Sequence, residues 1–165
     1  MLGIEESRGK QKKDAFLANI GLDRPMEILE MMCEKNKRGS KGLIELPFGY
    51  FATCGSAHSR FNYLDQGTEA ACQKWAELYF DRESKKLKLA ARRVLSYHDE
   101  YTVECPDDEV EIVKELMNNS YYEASLALHE WHRTKSKWFT GDDCPKFNIE
   151  LNAGCKVGDN YWDVH

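Results

Sequence analysis

Three polar residues in a row, His98, Asp99 and Glu100, stand between two β-type runs in the stretch VLSYHDEYTVECPDDEVEIVKELM. Val94 and Leu95 lead in, and Tyr101, Val103 and Cys105 alternate on the way out. The pattern predicts a hairpin with Tyr97 to Glu100 near its tip. Two adjacent carboxylates repel unless a cation or a basic group offsets them. Held on a rigid tip, they suit Mg²⁺, which takes hard oxygens and accepts one or two carboxylates alongside phosphate oxygens. An ordinary solvated turn is the alternative. The acids that follow, Asp107 to Glu111, need no such reading, because a helix N-terminus favours negative charge.

A second constellation lies upstream in HSRFNYLDQGTEAA. His58, Asn62 and Gln66 recur at i, i+4 and i+8, one helical turn apart on one face. Three neutral hydrogen-bonding side chains make a poor core face. They suit the DNA minor groove, where every base pair presents an acceptor at purine N3 or pyrimidine O2, so donors there test pairing without reading sequence. An exposed polar stripe on an amphipathic helix is the plain alternative.

The elements that must position these groups follow from periodicity. Residues 5–20 predict a basic lead-in helix with Phe16, Leu17 and Ile20 on its apolar side. The next helix runs from Asp23, as cap, through Pro25 in the first turn to a basic end before Gly39, burying Ile28, Leu29 and Met32. GLIELPFGYFATCG predicts a hairpin around Pro47, Phe48 and Gly49. A long helix over about 59–83 carries Phe61, Leu64, Ala71, Trp75 and Leu78 at helical spacing. Gly67 inside it costs about 1 kcal/mol relative to alanine, so close approach by another backbone or side chain is expected there. After the second hairpin, Val110, Val113, Met117, Tyr121, Ala124, Leu128 and Trp131 step by three or four, which predicts a helix reaching residue 131. A polar loop, a strand at FNIEL and the tail GCKVGDNYWDVH complete the chain. The order predicts an α+β fold, an antiparallel sheet with helices packed on one face.

Composition sets limits. At 165 residues with 42% hydrophobic and 31% charged side chains, the chain suits one globular domain. No apolar run is long enough to span a membrane, and the N-terminus lacks the apolar core of a signal peptide, so a cytoplasmic location is expected. The six cysteines form no C-x-x-C pair and read as reduced thiols. His129 and His132, with Cys144 and Cys155, could hold zinc, but their spacing matches no standard site. The net charge is −5, unevenly spread: residues 82–93 carry +5 and residues 99–115 carry −7. This is either two solvated helix faces or a phosphate-facing surface beside a cation site.

Together, YHDEYTVECPDDEVE and HSRFNYLDQGTEAA resemble two motifs of family A DNA polymerases, the group that includes bacterial DNA polymerase I. The first is similar to that family's His-Asp-Glu hairpin at the palm, and the second to its Asn-x-x-x-Gln-Gly-Thr-x-Ala helix. FNIELNAGCKVGDNYWDVH resembles the last palm strand and the Gly…Asn-x-Trp tail, ending in histidine, of the short-tailed phage enzymes. SRGKQKKDAFLANI resembles their basic helix after the fingers, and LIELPFGYFATCGSAH fits the hairpin before the Asn/Gln helix. Order and approximate spacing agree over nearly the whole chain.

The resemblance implies a palm-type sheet within a right-hand polymerase architecture, with residues 1–165 as one domain. About 1–42 would be the post-fingers segment and about 147–165 the C-terminal strand and tail. It implies that Asp99 bridges catalytic Mg²⁺ ions, that Glu100 is an accessory metal carboxylate and that His98 lies near the primer 3′ end. Asn62 and Gln66 would touch the minor groove at the newest base pairs, with His58 at a position held by arginine or histidine in relatives. Arg92 and Arg93, ending the basic run 85–93, are further candidates for DNA contact. Primer-template DNA and dNTP would be the partners.

Two motifs of that family do not occur in the 165 residues: the first palm motif, Asp-Tyr/Phe-Ser…Glu, and the fingers motif, Arg…Lys…Tyr-Gly. A pair of metal ions about 3.5–4 Å apart needs more than one aspartate. The expectation is therefore a polymerase half, active only with a second chain bearing fingers, thumb and the first aspartate, as in a split phage replicative polymerase. Phe48, Tyr50, Trp131, Trp138 and Trp162 are candidates for contact with that chain, and the stretch 129–146 reads as an inserted loop. A non-catalytic DNA-binding or interaction protein derived from a polymerase C-terminus is the alternative.

Overall fold

The computed structural model describes residues 6–37, 39, 41–138 and 150–164. Helices α1 (Glu6–Asn19) and α2 (Asp23–Lys35) precede a hairpin of β1 (Gly42–Glu45) and β2 (Phe51–Cys54). Helix α3 (Arg60–Leu87) then leads to a second hairpin, β3 (Arg92–Tyr97) and β4 (Glu100–Glu104). Helix α4 (Val110–Thr134) follows, and a short helix α5 (Tyr161–Val164) lies near the C-terminus. The fold is α+β. Among the described residues its strands form two separate antiparallel hairpins, in place of the one sheet expected.

Two apolar clusters stand at opposite ends of α3. The first joins α2 to the β1–β2 hairpin through Ile28, Leu29, Met32, Ile44 and Leu46. The second joins α3 to β4 and α4 through Phe80, Tyr101, Val113 and Leu116. Removing each such side chain from water contributes roughly 1.5–3 kcal/mol. Gly67 meets its expected neighbour here. A Cβ at that position would lie 2.6 Å from Leu46 Cδ1, so only glycine lets the first cluster close over α3. Phe48, in the left-handed region at φ 61°, stacks on Trp75 of α3 at 5.0 Å and packs at a tilt on Trp131 of α4.

The α4 face is close to the expected one, with Val113, Leu116, Ser120, Ala124 and Leu128 buried. The α3 face is turned from expectation. Leu78 is largely exposed and Trp75 is about one-third exposed beneath Phe48, while Ala71, Ala76 and Phe80 are buried together with Gln73, Glu77 and Ser84. Helices α3 and α4 pack on each other, with the small residues Ala71, Cys72 and Ala76 buried on α3 and Ser120, Ala124 and Ser125 buried on α4.

Helix starts also differ in detail. Asp23 is the first residue of α2, and Leu22 occupies the cap position with no side-chain cap bond. Of the expected strand at FNIEL, residues 147–149 lie outside the described residues, and Glu150 and Leu151 have no strand pairing. Most of the expected loop 129–146 divides between the end of α4 and undescribed residues. Trp138 packs on the first cluster and donates its Nε1–H to Glu45 at 2.9 Å. Among the described residues no helix is long and apolar enough to cross a membrane.

Candidate active-site hairpin and nucleic-acid interface

The β3–β4 pairing ends at Tyr97 opposite Glu100, leaving His98 and Asp99 as the two turn residues. His98 adopts φ 52°, a left-handed backbone that costs a non-glycine residue about 1 kcal/mol or more. Its ring meets that of Tyr97 edge-on at 4.2 Å. His98, Asp99 and Glu100 are all exposed. Asp99 and Glu100 line a cleft of about 240 Å³ with Tyr101, Met117, Tyr121 and the segment Asn152 to Cys155. The segment Asn152 to Cys155 therefore forms one wall of this cleft.

The hairpin is fixed to α3 by a buried carboxylate that the sequence pattern did not single out. Glu77 is 3% exposed and lies at the centre of four polar side chains. Ser96 donates to its Oε1 at 2.5 Å, and Lys74 Nζ reaches the same oxygen at 3.0 Å. Gln73 Nε2 donates to it at 3.3 Å, and Arg93 pairs with Oε2. Burial alone would push the Glu77 carboxyl up. The hydrogen bonds from Ser96 and Lys74, with the charges of Arg93 and Lys74, outweigh burial and hold it below the usual glutamate range.

A bulge makes this clamp possible. Arg93 and Ser96 are three residues apart, so a regular strand would point them to opposite faces. The β3–β4 register shifts between Arg93 and Leu95, and the extra residue, Val94, returns both side chains to the α3 side. Val94 itself is 57% exposed. The far end of β3 is tied to the start of α4, where the Glu109 carboxylate accepts the Ala90 and Ala91 N–H groups at 2.8 and 3.1 Å. One of the helix-opening acids thus closes a loop as well as facing the helix N-terminus.

On the α4 side, the Tyr121 hydroxyl lies 3.0 Å from the Asp99 main-chain oxygen and also meets Gln73 Oε1. Burial pushes this phenol up to about 12, with Gln73 opposing and the charges of Asp99, Glu77 and Glu100 adding to it, so it remains a donor at neutral pH. The neighbouring Tyr101 hydroxyl pairs with Ser120 Oγ at 2.8 Å, and its burial likewise raises it.

His58, Asn62 and Gln66 are all exposed. His58 lies in a 3₁₀ turn, Ala57–Ser59, that runs into α3. Asn62 and Gln66 follow on α3, so the stripe and the Glu77 clamp share one helix, with Gln66 about 10 Å from Gln73 along the axis. The two arginines separate. Arg92 is exposed, whereas Arg93 turns inward to Glu77 and Asp81 and serves the hairpin. Gln73, Glu77 and Asp81 stand at i, i+4 and i+8, the same spacing as the recognised stripe. Polar residues at core spacing near a following arginine were the available signal.

Among the described residues no group of three or more His, Cys, Asp or Glu could hold a metal ion. Asp99 and Glu100 offer two carboxylates of the hard-oxygen type that Mg²⁺ takes, which fits part of a coordination shell. The zinc set is not assembled among the described residues, and Cys144 lies outside them. The five described cysteines are free thiols.

The fold defines a class first. About 74% of the chain superimposes, at a TM-score of 0.54 and 18% identity, on the POL domain of Pol1 from M. smegmatis, solved in complex with DNA primer-template and dNTP. The chain covers 23% of that structure, and the shared fold is an α+β polymerase-palm type. A particular relative follows from sequence: 59 residues, 36% of this chain, are 42% identical to DNA polymerase I of Aquifex aeolicus (strain VF5). The match spans 10% of that protein's length. No protein-family model matches the chain. A stretch of this chain is thus homologous to DNA polymerase I.

Proposed function

We propose that these residues form the C-terminal palm portion of a family A DNA-directed DNA polymerase of the kind found in short-tailed phages. The observation that carries this reading is the turn of the β3–β4 hairpin, where the exposed Asp99 and Glu100 line one cleft with the segment Asn152 to Cys155. Asn62 and Gln66 on the preceding helix, and His58 in the turn that opens it, are exposed, as minor-groove contact requires. The homology to DNA polymerase I and the shared fold support it.

In this reading, Asp99 and Glu100 hold Mg²⁺ when primer-template DNA and dNTP are bound. The ion supplies charge neutralisation and orientation of phosphate oxygens. Asn62 and Gln66 test the shape of the newest base pairs through minor-groove acceptors, and His58 extends that contact by one turn. Arg92, exposed where β3 begins, serves phosphates, and His98 faces the primer end. The first palm aspartate and the fingers motifs come from polypeptide outside these 165 residues, a second chain in a split polymerase. One aspartate and no triphosphate grip leave this chain silent alone.

The test is extension of a primed template by this chain with the polypeptide that bears the missing motifs, in Mg²⁺. Asp99→Ala should abolish extension and leave assembly intact. Extension by Asp99→Ala at the unsubstituted rate refutes the catalytic reading. A second reading draws on the exposed stripe, which stands independently of the carboxylates: a non-catalytic DNA-binding accessory. It requires that Asn62→Ala and Gln66→Ala weaken DNA binding while Asp99→Ala has no effect on function.

A further inference from the structure

We infer that Tyr121 is a positioning residue for the carboxylate turn, its hydroxyl holding the Asp99 main-chain oxygen and so fixing where the Asp99 side chain is presented. The inference deepens the polymerase reading and rests on it. The turn needs such a hold. His98 and Asp99 are both exposed, His98 is left-handed, and strand pairing ends at Tyr97 and Glu100.

The hold has a defined origin. Gln73 on α3 donates its Nε2 to Glu77 at 3.3 Å, which orients the amide with its oxygen toward Tyr121. The phenol has one proton, so Gln73 Oε1 and the Asp99 oxygen, 3.0 Å away, share it. Helix α3, helix α4 and the turn therefore meet at one hydroxyl. The Glu77 clamp secures β3 from one side through Ser96 and Arg93, and Tyr121 secures the turn from the other. The same tyrosine lines the carboxylate cleft, so any shift of its contact is felt where a cation would sit.

Tyr121→Phe in the full chain removes the hydroxyl and keeps the ring beside Tyr101, whose centroid is 6.0 Å away. The melting temperature should stay within about 2 °C. The Glu100 amide, in the same peptide unit as the Asp99 carbonyl, should exchange with solvent at least about threefold faster. The Mg²⁺ concentration for half-maximal primer extension by the assembled polymerase should rise several-fold. Ser120→Ala is the control, because it removes the Tyr101 partner without touching the turn. Unchanged Glu100 exchange in Tyr121→Phe, or equal acceleration in Ser120→Ala, overturns the positioning role. An unchanged Mg²⁺ requirement in a polymerase that Asp99→Ala inactivates overturns its link to the cation. Normal extension by Asp99→Ala would instead overturn the polymerase reading, and Glu100 exchange would still decide whether Tyr121 holds the turn.

Discussion

Arg93 on β3 grips Asp81 on α3 with both arms of its guanidinium, Nη2 at 2.8 Å from Oδ2 and Nε at 3.2 Å from Oδ1. The planar fork fits a carboxylate at two points, while a third nitrogen reaches Glu77. Lysine offers a point charge on a flexible stem and cannot reproduce this. Arg93→Lys should lower stability by about 1–2 kcal/mol, read as a lower urea midpoint with unchanged slope.

Glu77 makes that clamp sensitive to acid. Its folded-state carboxyl titrates below the usual glutamate range, so it contributes stability that is present above the unfolded value and lost as pH falls through the folded one. The loss should begin near pH 4.3 and grow downward. Glu77→Gln should cost roughly 2 kcal/mol at pH 7, because Arg93 and Lys74 lose their shared partner, and should flatten the acid limb. Urea melts at a series of pH values read both effects.

Val94 is the bulged residue between the two side chains of the clamp. Val94→Thr changes a largely exposed group and should stay within about 0.5 kcal/mol. Deleting Val94 leaves Arg93 and Ser96 two positions apart, which a regular strand still points to one face, so the clamp on Glu77 should persist. Urea melts should show a small loss only, with the β3 amide protection pattern retained.

At Gly67 the competing effects have different sizes. Alanine improves helix propensity by about 1 kcal/mol, but its Cβ would meet Leu46 Cδ1 at 2.6 Å. Overpacking costs about 1–3 kcal/mol, so Gly67→Ala should destabilise on balance. Gly67→Ala combined with Leu46→Ala should lose less than the sum of the two single changes, as a double-mutant cycle would show.

The exposed stripe gives the opposite pattern. Asn62→Ala and Gln66→Ala should each change stability by less than about 0.5 kcal/mol. Under the polymerase reading they should reduce extension from a primed template at normal protein stability. Equal extension by the double substitution counts against minor-groove contact.

Much of the architecture is legible in residue order. Apolar spacing marks α2 and α4 with their buried faces, and alternation around a polar tip marks the second hairpin. Gly67 inside a helix announces a close neighbour, and Leu46 is that neighbour. His58, Asn62 and Gln66 declare an exposed face, because three amide and imidazole groups at helical spacing do not make a core. All of these signals are local, carried within a few turns of one element.

What the sequence by itself determined is the type and order of the elements from α1 to α4 and the His98–Asp99–Glu100 tip between two strands. Tertiary structure alone decided which side of α3 is inside. Gln73 and Glu77 face inward, Leu78 faces solvent, and Trp75 lies beneath Phe48. It also decided that Arg93 faces α3 and that Tyr121 meets the Asp99 carbonyl. The physical reason is that a buried charge is tolerated only where partners converge on it, and Arg93 and Ser96 reach Glu77 from 16 and 19 positions away. Neither a one-residue bulge nor a contact 22 positions away leaves a trace in local periodicity.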